Sequence, residues 1–228
     1  DGTTDGTLQL NCSQNSHGIK LKSPSHGSAQ SYTLTFPTTA PSSGSALITD
    51  GSGNLSFGSA GGLVKLSSTT LSSTASQIDF TSSIITSTYD TYLFVGMMHP
   101  ETDNVSMRMR LSDGGSFNTG GSDYAWGYVT EAGNGTSSNG DDNMRMFDQQ
   151  DTGTASRVAC FELTLFNPQN SSVNTNLVWQ CTRDDGNHST FFGGGGRLNG
   201  EATDGIRFFA SSGDFSIGTR ITCYGVTK

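Results

Sequence analysis

Charge is scarce in this 228-residue sequence: 14% of it is Asp, Glu, Lys or Arg, with 12 basic residues against 20 acidic ones. Binding to a phosphate backbone needs clustered Lys and Arg, so scattered cations and a net charge of -8 argue against a nucleic-acid partner. Long apolar runs are missing too. Nothing approaches the eighteen or so residues that span a bilayer, and residues 1–30 contain no charged start followed by an apolar segment, so no membrane insertion is expected. Cysteine is limited to Cys12, Cys160, Cys181 and Cys223, far apart and without Cys-x-x-Cys spacing, which excludes a zinc ribbon or thioredoxin chemistry. A chain of this size does not need disulfides, so these are expected to be free thiols in or beside strands. No Gly-x-Ser-x-Gly element marks a hydrolase nucleophile, and no segment has a convincing amphipathic helical period.

What is abundant is Gly, at 30 residues, together with Ser, Thr and Asn, in the places that Glu, Lys and Ala fill in a helical protein. The period of the apolar residues is two. Val105, Met107, Met109 and Leu111 alternate with Ser106, Arg108, Arg110 and Ser112, which predicts a half-buried strand with the guanidinium groups outward. Residues 92–98, Tyr-Leu-Phe-Val-Gly-Met-Met, are apolar on both faces. The polar, proline-containing loop 99–104 between the two runs predicts an antiparallel hairpin at the centre of a sheet. The expected fold is therefore all-β.

Two units are expected. Residues 1–62 contain five strand-like pieces, at 7–11, 18–22, 31–36, 46–49 and 54–57, each with two or three apolar side chains between Gly, Ser, Pro and Asn turns. Pieces this short cannot enclose a dry core alone, and copies related by rotation would supply the missing half. Leu8, Leu10, Ile19, Leu21, Leu34 and Phe36 are the expected trimer interface. Gly61-Gly62 reads as the hinge to residues 63–228, where about nine strands without a crossover helix predict an antiparallel β-sandwich of jelly-roll type. Its longest loop is expected over residues 130–156.

Thr7-Leu-Gln-Leu10, Gly18-Ile-Lys-Leu-Lys-Ser-Pro24, Tyr32-Thr-Leu-Thr-Phe-Pro37 and Ala46-Leu-Ile-Thr-Asp-Gly-Ser-Gly-Asn-Leu-Ser-Phe57 occur in an order that resembles tail-fibre and other appendage proteins of tailed bacteriophages. Ser76–Phe80, Tyr89–Tyr92, Phe166-Asn-Pro168, Asp204–Phe209 and the closing Cys223-Tyr-Gly-Val226 extend the likeness more loosely. The resemblance implies a homotrimeric β-structured neck that displays a C-terminal head, located in a virion and assembled with other virion proteins. Its implied work is attachment to a host cell-surface glycan or protein, without catalysis. A purely structural head fibre, capsid decoration or connector is the alternative, and a carbohydrate-binding module or glycan hydrolase is a third.

Receptor contacts are expected in three stretches. Tyr124, Trp126 and Tyr128 could stack on sugar rings, although their alternation also fits a core face. Asp141, Asp142 and Asn143, and Asp184, Asp185, Asn187 and His188, could bond sugar hydroxyls, or hold calcium if three or more oxygens gather there. No other cofactor is expected. His99, Glu101 and Asp103 read as a solvated turn rather than a metal cluster, and residues 50–54 as a glycine turn. Phe191-Phe192 followed by four glycines reads as either a mobile tip or a close-packed backbone crossing.

Overall fold

The computed structural model describes residues 6–13, 17–42, 45–58, 61–148, 157–184 and 186–227, and the backbone of 149–150. The chain divides into two compact units, Asp1–Ala60 and Gly61–Lys228.

In the first unit β1 (Thr7–Asn11) and β2 (Gly18–Lys22) form one antiparallel hairpin, and β3 (Ala46–Thr49) and β4 (Leu55–Gly58) form another. The expected strand at 31–36 does not form. Thr35 makes a single parallel bridge to Asn54, donating to the Gly53 carbonyl and accepting from Leu55, and the rest of the stretch has no ladder partner. Not one described residue of 6–58 is buried. Nine large apolar side chains are exposed there, from Leu47 and Ile48 at 46% and 41% up to Ile19 at 72%.

The second unit has the opposite character. It contains thirteen strands and, among the described residues, no α-helix: β5 (Leu63–Thr70), β6 (Gln77–Phe80), β7 (Thr91–Met98), β8 (Val105–Asp113), β9 (Ser116–Phe117), β10 (Tyr124–Thr130), β11 (Gly135–Asp141), β12 (Met144–Gln150), β13 (Ala159–Phe166), β14 (Asn176–Asp184), β15 (His188–Arg197), β16 (Gly205–Ala210) and β17 (Arg220–Val226). They make an eight-stranded sheet in the order β11-β10-β15-β14-β13-β7-β17-β5 and a five-stranded sheet in the order β12-β8-β16-β6, with β9 on β8. Every ladder is antiparallel, and the architecture is sandwich-like. The inner faces share one core, in which Phe94 and Phe161 of the larger sheet meet Phe208 of the smaller at 5.7 and 5.3 Å between ring centroids.

The alternation in β8 sets its register as expected: Met107, Met109 and Leu111 are fully buried, while Arg108 and Arg110 lie on the other face, partly buried, with the Arg110 side chain 20% exposed. The expected hairpin with β7 is corrected. β7 lies between β13 and β17 in the larger sheet, whereas β8 lies between β12 and β16 in the smaller. The reason is in the loop. Residues 99–104 do not turn back but bond to the 214–216 segment, through Glu101 N–H to the Asp214 carbonyl and Ser216 N–H to the His99 carbonyl. The chain thus crosses from one sheet to the other. β7 buries Tyr92, Phe94 and Met98 in the core, pairs with β13 and β17 on its two edges, and leaves Val95 44% exposed on its other face.

The expected long loop at 130–156 is also corrected, because it carries β11 and most of β12. β11, Gly-Thr-Ser-Ser-Asn-Gly-Asp, has no apolar residue and is an outer edge strand with β10 as its one ladder neighbour among the described residues. The glycine run is likewise part of a strand. β15 lies between β10 and β14, and a Cβ at Gly193 would come within 2.3 Å of the Trp179 ring. The glycines let the Trp179 indole lie directly on the backbone of a central strand at Gly193 and let β10 approach closely at Gly195, where a Cβ would come within 2.7 Å of the Ala125 carbonyl oxygen.

An ion pair ties the two sheets at their rim. The Arg197 side chain, fully buried at the end of β15, donates from Nη2 to Asp113 Oδ2 at 2.6 Å and to Glu201 Oε2 at 2.8 Å. The Asp113 carboxyl is held below its usual range by hydrogen bonds from Asn118 and Arg197. For Asp148, burial raises the carboxyl, but Ser106, Tyr128 and Arg145 outweigh it and the net shift is downward. Asp142 shows the same balance, with Arg110 and Asn143 outweighing burial. Carboxyls depressed in the folded state stabilise it above their unfolded pKa, about 3.9, and that contribution is lost as pH falls through the folded values. The expected result is a thermal midpoint that is flat from neutral pH to about 5 and falls steeply below about 4, measured by calorimetry across a pH series.

Candidate functional site: the outer face of the larger sheet

The larger sheet presents to solvent a face whose composition is fixed by strand alternation. Cys160, Glu162, Thr164 and Phe166 of β13 point outward while Phe161, Leu163 and Leu165 point to the core, and the same parity places Val178 and Gln180 of β14 and Val95 of β7 outward. Register then aligns these side chains in rows across the strands. One row runs Val129, Phe192, Gln180, Glu162, Val95, Thr222, Ser68; the row beside it runs Gly127, Gly194, Val178, Thr164, Leu93, Tyr224, Lys65. A third begins at Thr190 and Thr182 and passes Cys160 and Met97 to Arg220.

The first row from Phe192 to Ser68, the third row, and Tyr224 and Lys65 of the second line an open groove of about 850 Å³ that extends from β15 to β5. Phe192 is 49% exposed at one end, and Val178 and Val95 are also open to solvent at 51% and 44%. In the middle stand Gln180 and Glu162. At the far end the Ser68 and Thr222 hydroxyls bond each other at 2.8 Å, with Lys65 and Arg220 beside them. Glu162 is the one carboxylate among the described residues lining the groove. Glycoside hydrolysis by paired carboxylates needs two facing each other across the substrate, and the groove does not assemble such a pair. Amides, hydroxyls and apolar faces spread over a flat sheet are instead the mixture that binds sugar rings.

The residues expected to bind a receptor lie elsewhere. Tyr124 and Trp126 face the core at 0% and 6% exposure, which is a correction. The Tyr124 hydroxyl is clamped to the backbone of Leu111, accepting from its N–H at 2.8 Å and donating to its carbonyl at 3.0 Å, and burial pushes its pKa up to about 12. Trp126 stacks on Tyr128 at 6.0 Å, and its indole N–H donates to Asp141 Oδ2 at 3.2 Å. Tyr128, half-buried, donates to Asp148 Oδ2 at 2.6 Å. Asn143 is buried, and Asp142 is occupied by Arg110. The three aromatics share one face of β10, and the core claims that face.

Nor do the two acidic turns meet. The Asp141–Asn143 turn lies at the Tyr124 end of β10, since Tyr124 pairs with Asp141. The tip of the β14–β15 hairpin lies at the other end, where Thr130 pairs with Phe191 and Thr190 N–H donates to Glu131. Seven residues of extended chain separate them, roughly 20 Å. Asp184 closes the hairpin turn by accepting from Gly186 N–H at 2.9 Å; Asn187 and His188 are exposed, and Asp185 falls outside the described residues. Among the described residues no three His, Cys, Asp or Glu side chains gather as metal ligands. The Asp50 carboxylate is taken up within its own turn, by Ser52 N–H and by the Asn54 backbone and side chain.

The groove residues were overlooked in the sequence although a signal existed. Residues 159–166 alternate without a break, and their polar half contains Glu162 and Cys160. Only the strand order shows that five neighbouring strands contribute to the same face. No protein-family model matches the sequence, and no curated protein matches it at a significant level.

Proposed function

We propose that this protein is a virion appendage subunit of the tail-fibre kind, in which residues 6–58 associate as a homotrimer and the C-terminal head, a jelly-roll type sandwich, attaches to a host-surface glycan through the groove. The observation that carries the reading is the contrast between the units. The head encloses a dry core, yet the N-terminal unit has regular hairpins and not one described buried residue. A hairpin that exposes Leu8, Leu10, Ile19 and Leu21 is marginal alone in water. Copies of the same hairpin around a rotation axis cover those side chains at no cost in new sequence. Three heads on one stem then raise avidity by on the order of 10²–10⁴ over a single weak site.

The test uses the whole protein. Sedimentation is expected to report a trimer, and the labelled protein to bind cells within a panel of bacterial strains. Replacing Gln180 and Phe192 together with alanine is expected to keep the trimer and the far-ultraviolet spectrum while abolishing cell binding. A monomer with folded hairpins overturns the assembly. Unchanged cell binding by the double variant overturns the groove, and absence of cell binding by the wild type across the panel overturns attachment.

A further inference from the structure

A second hollow adjoins the groove between β10 and β15 and shares Phe192 with it. At the β10–β15 end, Gly127 and Gly194 are a cross-strand pair on the outer face, leaving a patch of bare backbone bordered by Val129 and Phe192. Such a hollow, flat and with an aromatic wall, accepts the apolar face of a pyranose ring. Gly194 is not needed there for packing, because a Cβ would meet the Leu177 carbonyl oxygen at 3.4 Å and Val178 Cγ1 at 3.8 Å, both ordinary contacts. Its neighbour Gly193 faces the core, where a Cβ collides with Trp179. The outward glycine leaves open a space that a methyl group could occupy without displacing any atom.

At the other end the feature is charge. Arg110, Arg145, Arg197 and Arg207 of the head are each held by a carboxylate. Lys65 and Arg220 have no carboxylate partner among the described residues, and both stand exposed on the groove floor, on the adjacent strands β5 and β17. In a chain of net charge -8 these are two free cations on one face. Between the ends, Glu162 and Gln180 offer acceptors and an amide donor suited to hydroxyls, and Glu162 repels an acidic group from the middle strands. From β10 to β5 there are six strand spacings, roughly 29 Å at ~4.8 Å each. That is the reach of an oligosaccharide rather than a single ring.

Resting on the reading of the groove as the attachment site, we infer that its ligand is an acidic polysaccharide lying across the strands, with a neutral ring over Gly194 beside Phe192 and an anionic sugar at Arg220 and Lys65. Carboxylate and sulfate sugars share this chemistry, and the probes separate them. The intact protein is tested by gel retardation in neutral dextran, polygalacturonate and dextran sulfate, with cell binding measured on the same samples. Retardation is expected with at least one of the two anionic polymers, weakening as salt screens the contacts. Arg220→Gln is expected to weaken it at least tenfold. Gly194→Ala is expected to weaken it at least tenfold with an unchanged thermal midpoint, which separates a filled hollow from a damaged fold. Equal retardation of wild type and Arg220→Gln, or retardation by neutral dextran alone, overturns the acidic ligand. If no polysaccharide retards a protein that still binds cells, the ligand class falls and the attachment reading stands. If the folded trimer binds neither polymer nor cell, both fall.

Discussion

Aspartate in place of Leu10 or Ile19 is expected to convert the assembly from trimer to monomer and to lower cell-surface avidity by on the order of 10²–10⁴. Both side chains are open to solvent in the single chain, at 59% and 72%, so the substitution removes no contact within the subunit. It acts only where another copy covers the position. A carboxylate introduced at each of three symmetry-related positions would face its own copies near the axis, and like charges brought together without partners are strongly disfavoured. The head, whose core shares none of these residues, should keep its melting temperature. Sedimentation of the variants, with calorimetry of the head transition, checks both parts. A trimer that survives Leu10→Asp and Ile19→Asp together would show that those side chains are not the interface.

Replacing Trp126 with alanine is expected to destabilise the head by about 3–5 kcal/mol without altering ligand binding per folded molecule. Trp126 is 6% exposed, stacks on Tyr128 and is the cross-strand partner of Gly195 on β15, where an added Cβ would come within 2.9 Å of Trp126 Cβ. Truncation therefore leaves a cavity bounded by a glycine strand, which has no side chains to move into it. The partner Asp141 lies at a turn and can turn to water, so the cost arises from lost packing rather than from a stranded charge. Urea unfolding gives the stability, and binding titrations corrected for the folded fraction give the second quantity. A loss of affinity at full folding would return Trp126 to the binding surface.

These two expectations draw on different levels of information. The exposure of the N-terminal apolar side chains was legible from sequence, because strands with two apolar side chains each, in pieces of five residues, leave a one-sided sheet whatever the tertiary arrangement. Leu8, Leu10, Ile19 and Leu21 are exposed for that reason. Trp126 was not legible. Strand alternation states that Tyr124, Trp126 and Tyr128 share a face, but it does not state which face meets the second sheet.

What the sequence determined by itself is the class and the parity: an all-β chain, inward Met107, Met109 and Leu111, and outward Arg108 and Arg110. Those follow from a period of two, which is local. The tertiary structure alone decided sheet membership. β7 and β8, only six residues apart, lie in different sheets because the 99–104 loop bonds to residues 214–216. β11, without an apolar residue, becomes a strand only because β10 offers it an edge. Gly193 of β15 joins a central strand because the Trp179 indole fills the space that its side chain would have taken. The groove belongs to the same category. Its rows combine residues from Lys65 to Tyr224, and long-range pairing, which no local pattern encodes, is what sets Glu162 beside Gln180 and Val95.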